Sequence, residues 1–349
     1  MAINKQFCST HSSGKEIFEF NLTNSRNTEV VITNYGAIIS AFKVRNEVGS
    51  VNDIVLGFEN AEGYTAENYI SNYPWMGCAV GRNGNRIKNA EFEIDGKKYS
   101  VSKNNGRNQL HGGFEGFDKK VWELVNMGES PVTFLELKYI SPDGEEGYPG
   151  TLEVTVRFEL TEENELSYQY TAISDKPTVI NLTHHGYFNL NNGKGTIHNY
   201  ELKIYGSYVL DQDDDLVTTG TLTKVKNTEF DFHNFTRIGD RLAQVSEYDK
   251  SYVADKNDGE SALSLMAEVR SPESMLLLQV YSTEPVVHFY TGKWLPALKG
   301  KNGTNYGSFS GFCLETQVHP NAINIPHFPN TILRPGEVYS SKTIYKVIN

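Results

Sequence analysis

Apolar residues recur at every second position over much of this 349-residue chain. Val154, Val156, Phe158 and Leu160 alternate with Thr155, Arg157 and Glu159. A polar turn over residues 162–165 follows, and then Leu166, Tyr168, Tyr170 and Ala172 alternate with Ser167, Gln169 and Thr171. Period two sends successive side chains to opposite faces of a strand, so this stretch predicts a hairpin. The same rhythm runs through residues 16–22, 30–44, 132–139, 201–208, 263–269, 275–281 and 342–347. Turn pairs such as Asp95-Gly96, Asp143-Gly144, Asn302-Gly303 and Pro335-Gly336 punctuate it. Helical periodicity is confined to residues 238–245 and a turn or two within 60–69. Strands without long helices between them predict an all-β chain, a sandwich or a barrel, with few short helices. No linker-like stretch or repeat divides it, so residues 1–349 read as a single domain.

Composition narrows the partners. A net charge of −11 and the lack of a basic run speak against nucleic acid. No apolar run approaches a membrane span, so no membrane partner is expected. Cys8, Cys78 and Cys313 form neither a disulfide framework nor a Cys-x-x-Cys zinc pair. The first twenty residues carry no apolar signal core. The expectation is a soluble cytoplasmic protein.

Familiar nucleotide and nucleophile motifs are missing. There is no phosphate loop, no G-x-G-x-x-G opening a helix, and GSFSG has its serines in the wrong places for a nucleophile elbow. Asp211, Asp213 and Asp215 stand at calcium-loop spacing, but Leu216 and Leu222 occupy the positions that need Gly and Glu. A solvated loop is the better reading.

Three segments carry candidate chemistry. In NLTHHGYFNL, strand alternation puts Leu182, His184, Gly186, Phe188 and Leu190 on one face. Asn181, Thr183, His185, Tyr187 and Asn189 take the other. The pattern assigns His185 to the polar row and His184 to a core role. The alternative is a strand whose polar face meets solvent. In GFCLETQVHP, Cys313, Glu315, Gln317 and His319 share a face. A carboxylate flanked by Leu314 and Thr316 is partly desolvated and suited to take a proton; the alternative is an exposed Glu on an edge strand. In NNGRNQLHGGFEGF, His111 precedes two glycines that let the backbone come close to something. Upstream, Arg82 and Arg86 lie near Asn83 and Asn85, good donors for sugar or carboxylate oxygens. Two His plus a Glu also permit a metal, but neither His-x-His nor His-Glu-x-x-His spacing supports one.

The combination of NRI, LHGG…GFD, NLT-x-H-x-YFNL, YD-x-x-YV and CLETQ-x-x-P-x-A-x-N resembles the aldose 1-epimerases, or galactose mutarotases. The blocks run in the family's order from Asn34-Tyr35-Gly36 to Arg334-Pro335-Gly336 and so cover nearly the whole chain. The resemblance implies one large antiparallel β-sandwich, a supersandwich. It implies an isomerase that interconverts α and β anomers of free aldoses such as galactose and glucose, with no cofactor or metal. Carried over by motif, Glu315 is the general base, His185 the general acid, and His111 helps hold the sugar. Arg86 and Asn85 bind sugar oxygens, and Asp249 accepts from sugar hydroxyls. Gln317 is added mainly for its shared face with Glu315. A monomer or homodimer is expected.

Three departures stand out. His184 replaces a common Asn, Gly186 a common Ser or Thr, and Lys250-Ser251 a frequent His-Asn. The first two bear on how His185 is held, the third on sugar preference. Two other readings use the same residues: a sugar-binding protein without turnover, and an epimerase for sugar phosphates. The latter needs extra cations, for which Arg86 and Lys250 are the candidates.

Overall fold

The computed structural model describes residues 1–46, 49–256, 259 and 261–349. It is an all-β sandwich of antiparallel sheets. The predicted hairpin is Leu152–Leu160 with Glu165–Ser174, the third and fourth strands of a nine-stranded sheet. Every second residue of Leu152–Leu160 is buried, as its alternation requires. A five-stranded sheet is built from the first fifty-odd residues, Ala2–Thr10 through Val51–Asp53. A second five-stranded sheet contains Thr218–Lys224, Tyr208–Gln212, Asp249–Val253, Val286–Tyr290 and Cys313–Gln317, in that spatial order. One continuous apolar cluster joins all three. It includes Phe20 and Ile32 from the first sheet, Leu137, Val156 and Tyr345 from the large one, and Phe289 and Leu314 from the last. Each fully buried Leu, Ile, Val or Phe contributes about 1.5–3 kcal/mol.

Two predicted runs are each broken into two strands. Residues 30–44 divide into Glu29–Thr33 and Ile38–Arg45. Gly36 turns there with φ of 64°, and a Cβ on it would lie 2.4 Å from the Asp118 carbonyl oxygen. Residues 201–208 also divide. Glu201–Ile204 belongs to the nine-stranded sheet and Tyr208–Gln212 to the second five-stranded one. The predicted helix near 238–245 is a 3-10 turn followed by one α-turn, and 60–69 holds two more short turns. The acidic run forms a loop: Asp213 pairs with Lys88 at 3.1 Å, and Asp215 with Arg107 at 2.8 Å.

The adjacent histidines His184 and His185 separate as the alternation predicts. His184 lies in the core, 5.3 Å from the Tyr168 ring and 6.3 Å from Phe158. Its Nε2 sits 3.3 Å from the Ala37 carbonyl oxygen, and its Nδ1 has no partner in the protein. Burial pushes this imidazole down to about 3. Beside it, Gly186 has an ordinary backbone, and an added Cβ would meet only the Phe188 ring at 3.3–3.4 Å; nothing in the structure requires glycine there.

A neutral buried His184 fixes one pH dependence. The unfolded chain takes up its proton near pH 6.5 and the folded one only near 3. Its contribution is therefore complete above pH 6.5 and is lost as pH falls toward 3, with a slope approaching about 1.4 kcal/mol per pH unit. Asp118 and Glu284, which burial pushes up to about 6 and about 7, tilt stability the other way. Urea unfolding of wild type and H184N between pH 4 and 8 cancels those common terms. The difference between the two proteins is expected to change with pH below 6.5 and to be flat above it. A constant difference across the range would show that His184 does not titrate on unfolding.

Candidate active site

Strand register builds one wall of a cavity. In the second five-stranded sheet, Ser251 lies opposite His288 and His288 opposite Glu315. The next row on the same face is Asp249, Tyr290 and Cys313. The row between them, Lys250, Phe289 and Leu314, points the other way. Lys250 accordingly reaches Gln212 Oε1 at 2.7 Å and is absent from the cavity lining. Behind the strand Cys313–Gln317, Thr316 bonds Thr343 at 2.6 Å and Tyr168 at 3.3 Å, which ties this wall to the nine-stranded sheet.

Loops and short strands supply the remaining walls. Arg86–Ile87 pairs with Gln109–Leu110, which brings Asn85, Arg86 and His111 together. Tyr73, Pro74 and Trp75 form another side, with His185 and Tyr187 beside them. The cavity holds about 310 Å³, at the small end of ligand-binding cavities.

His185 and Glu315 face each other inside it. His185 Nε2 is 3.6 Å from Glu315 Oε1, too far for a hydrogen bond between them. The His185 ring stacks on Tyr187 at 5.1 Å, and its Nδ1 is 3.5 Å from Cys313 Sγ. Burial, and the carboxylates of Glu315 and Asp249, hold that thiol well above its usual range, hence protonated. Glu315 is 1% exposed, and its Oε2 has no partner in the protein. The sequence alternatives of a solvent-facing polar row and an exposed Glu are thus replaced by burial. Cys313–Gln317 is an edge strand, but the edge is covered by Phe188, whose backbone exchanges hydrogen bonds with Phe312.

His111 is clasped by Asn85. The His111 backbone N–H donates to the Asn85 carbonyl at 3.0 Å, and the Asn85 N–H donates to His111 Nδ1 at 3.2 Å. Burial, with His185, Arg86 and His288 nearby, holds this imidazole well below its usual range. A neutral ring whose Nδ1 accepts a hydrogen bond carries its proton on Nε2. That matters for metal binding. His111, His185 and Glu315 have ligand atoms within 4.8 Å of one another. With Nε2 protonated, His111 offers the site a donor and no lone pair, so this triad suits an oxygen-rich ligand better than an ion.

Asp249 is the other carboxylate of the lining. Burial alone would raise it, but hydrogen bonding to His288 and the charges of His288, Arg86 and Lys250 bring it below its ordinary range. Its Oδ1 is 2.8 Å from His288 Nε2.

The cavity therefore gathers Glu315, His185, His111, Arg86, Asn85 and Asp249. Gln317 does not line it. It shares the Glu315 face, as alternation requires, but one pair further along it lies under Gly84, whose added Cβ would be 3.1 Å from Gln317 Oε1. His319 packs on Phe328 instead. Arg82 is structural, bonding the Ser141, Pro142 and Pro149 carbonyls and the Ser141 and Thr178 hydroxyls. Gly112 and Gly113 approach the protein itself: a Cβ on Gly112 would lie 1.9 Å from the Gly81 carbonyl, and one on Gly113 2.0 Å from Glu146. The sequence reading missed His288, Trp75, Tyr290, Trp294, Tyr73 and Leu216 as lining residues.

Fold and cavity define an all-β sandwich with a buried cavity that sets a carboxylate beside two imidazoles. The aldose 1-epimerase family profile matches residues 19–346. Bovine galactose mutarotase is 40% identical over 321 residues, spanning 91% of this chain and 90% of its own. The aldose 1-epimerase of Escherichia coli K12 is 34% identical over 336 residues, 94% of each chain. Among solved structures, galactose 1-epimerase from Lactobacillus acidophilus superposes with a TM-score of 0.86 at 26% identity, covering 99% of this chain and 98% of that one. This chain belongs to the aldose 1-epimerase family.

The His111 assignment has a spectroscopic consequence. Long-range proton–nitrogen correlation spectra are expected to show the His111 Nε2–H tautomer unchanged from pH 8 to pH 5. An Nδ1–H tautomer, or titration within that window, would overturn it.

Proposed function

We propose that this protein interconverts the α and β anomers of free aldohexoses of the galactose and glucose type by acid–base ring opening. The observation that carries the proposal is the pair Glu315 Oε1 and His185 Nε2, 3.6 Å apart and not bonded to each other. A hemiacetal has two oxygens on one carbon, so its proton donor and proton acceptor must stand side by side, unquenched by one another. Glu315 takes the proton from the C1 hydroxyl as the C1 oxygen becomes a carbonyl. The C1–ring-oxygen bond breaks, and the ring oxygen takes a proton from the His185 imidazolium. Rotation about C1–C2 presents the other face of the aldehyde. On closure Glu315 returns its proton to the carbonyl oxygen, and neutral His185 recovers its own from the attacking hydroxyl. Nothing is oxidised or reduced, and acid–base groups suffice.

The other lining residues bind. His111 donates from Nε2 to a sugar oxygen near the reacting carbon. Arg86 and Asn85 hold sugar oxygens, and Asp249 accepts from a hydroxyl. Arg86 is the only Lys or Arg among the described lining residues, accompanied by two carboxylates, and Lys250 points elsewhere. A phosphate dianion would meet one cation and two like charges, which favours free sugars. We read the chain as one domain acting in the cytoplasm; no helix among the described residues is long and apolar enough to cross a membrane.

Polarimetry of freshly dissolved α-galactose and α-glucose tests this. Wild type is expected to accelerate relaxation, and glucose 6-phosphate to be a poor substrate. Each proton transfer contributes about 10²–10⁴-fold, so E315Q and H185N should each lose about that much. Absence of acceleration by folded wild-type protein would sink the proposal, and a fully active variant would remove that residue from its role.

A further inference from the structure

His288 and Ser251 are fixed more tightly than a cavity wall requires. Ser251 and His288 are 2% and 3% exposed and lie directly opposite each other on neighbouring strands. Ser251 Oγ is 2.9 Å from His288 Nδ1, and His288 Nε2 is 2.8 Å from Asp249 Oδ1. The three residues make one hydrogen-bonded chain across two strands, with Asp249 and His288 lining the cavity and Ser251 behind them.

We propose that Ser251 and His288 are positioning residues for Asp249, and that this chain sets how strictly the cavity selects the configuration of a sugar hydroxyl away from the anomeric carbon. The inference rests on the mutarotase reading above and goes beyond it, because it assigns substrate discrimination to two residues that take no part in proton transfer. An Asp side chain by itself rotates about two bonds. With Oδ1 held by an imidazole N–H, in a charge-assisted bond, the carboxylate plane is set and Oδ2 is left for a hydroxyl of defined direction. The imidazole is aimed in turn by Ser251. A hydroxyl both donates and accepts. It gives its proton to Nδ1 of a neutral ring and accepts from Nδ1–H of a charged one, so the ring keeps its orientation in either state. Cross-strand geometry makes the arrangement rigid. His288 faces Ser251 directly and meets Asp249 on the diagonal, both within reach on one sheet face. Glu315 stands on the opposite side of His288 in the same row, so the proton acceptor and the recognition residue flank one strand as a common support. The Lys250-Ser251 departure from the family pattern acquires a meaning: Lys250 points away, and Ser251 enters the site through His288.

The test uses S251A, S251T and H288Q with galactose, glucose and a series of monodeoxy hexoses. The proposal predicts that S251A raises KM about three- to tenfold for the preferred hexose, the range expected for one lost hydrogen bond. It predicts kcat within about twofold and a reduced galactose-to-glucose preference, while S251T, which keeps the hydroxyl, restores both. H288Q should raise KM at least as much as S251A. One deoxy sugar, lacking the hydroxyl that Asp249 holds, should be insensitive to S251A; this comparison needs no variant beyond the mildest. Equal sensitivity of every deoxy sugar would overturn the proposal. So would unchanged KM and preference in S251A and H288Q, or a fall in kcat at constant KM. In each of these cases wild-type activity shows that the mutarotase reading itself stands. An inactive wild type overturns both together.

Discussion

A carboxylate buried in the interior of a β-sandwich, with one oxygen unpaired, is the constraint around which this site is organised. Glu315 is almost fully enclosed, and the His185 imidazole stops 3.6 Å from it. Leaving a buried polar group so poorly satisfied is costly. The fold carries that cost because the strand that bears Glu315 is anchored on its other face. Phe312 and Leu314 sit in the main apolar cluster, and Thr316 is tied to Tyr168 and Thr343 of the large sheet. The result is a carboxylate that cannot swing toward a protein donor and is therefore open to a ligand hydroxyl.

The imidazole that faces it, His185, is held by the same logic from a different part of the chain. His185 donates its backbone N–H to Cys78 and accepts from Gly77, and Tyr187 is engaged by Leu56. This thread runs between the first sheet and Phe312, so the imidazole is located by backbone hydrogen bonds. The changes at His184 and Gly186 leave that support in place, since His184 fills the core and Gly186 makes no conformational demand.

Much of this was readable in the residues, and the limits have physical causes. Alternation divided His184 from His185 and put Cys313, Glu315 and Gln317 on one face, but the strands are only Thr183–His184 and Cys313–Gln317, so it did not reach His319. It did not give distance along a strand, so Gln317 was placed with Glu315 although Gly84 covers it. His288 escaped notice because Val286–Tyr290 is buried on both faces. In a strand with apolar residues on either side, period two vanishes and a histidine reads as core. Only its register between Asp249–Val253 and Cys313–Gln317 shows what it touches. The glycines after His111 were read as room for a ligand, while they make room for the Gly81 carbonyl and Glu146. A glycine declares that something is close, but not what. Arg82 and Arg86 likewise looked equivalent, and the turn between them, with Asn85 at φ of 57°, sends one into the core and the other into the cavity.

The arrangement also explains why a small neutral substrate suits an acidic protein. One face of a three-strand unit gathers Asp249, His288 and Glu315, while the alternate face removes Lys250. Among the described lining residues only Arg86 adds a fixed positive charge, so the cavity is rich in acceptors and in neutral or switchable donors. A sugar presents hydroxyls, each of which donates and accepts, and it brings no charge that must be stripped of water. For such a ligand, affinity comes from the direction of many modest hydrogen bonds rather than from any one ion pair. Direction is what rigid strands supply. The ring opening proposed above gains further from this, because its acid and base must exchange roles within one binding event. Neither can move away between the two half-reactions without losing the aldehyde it has just made.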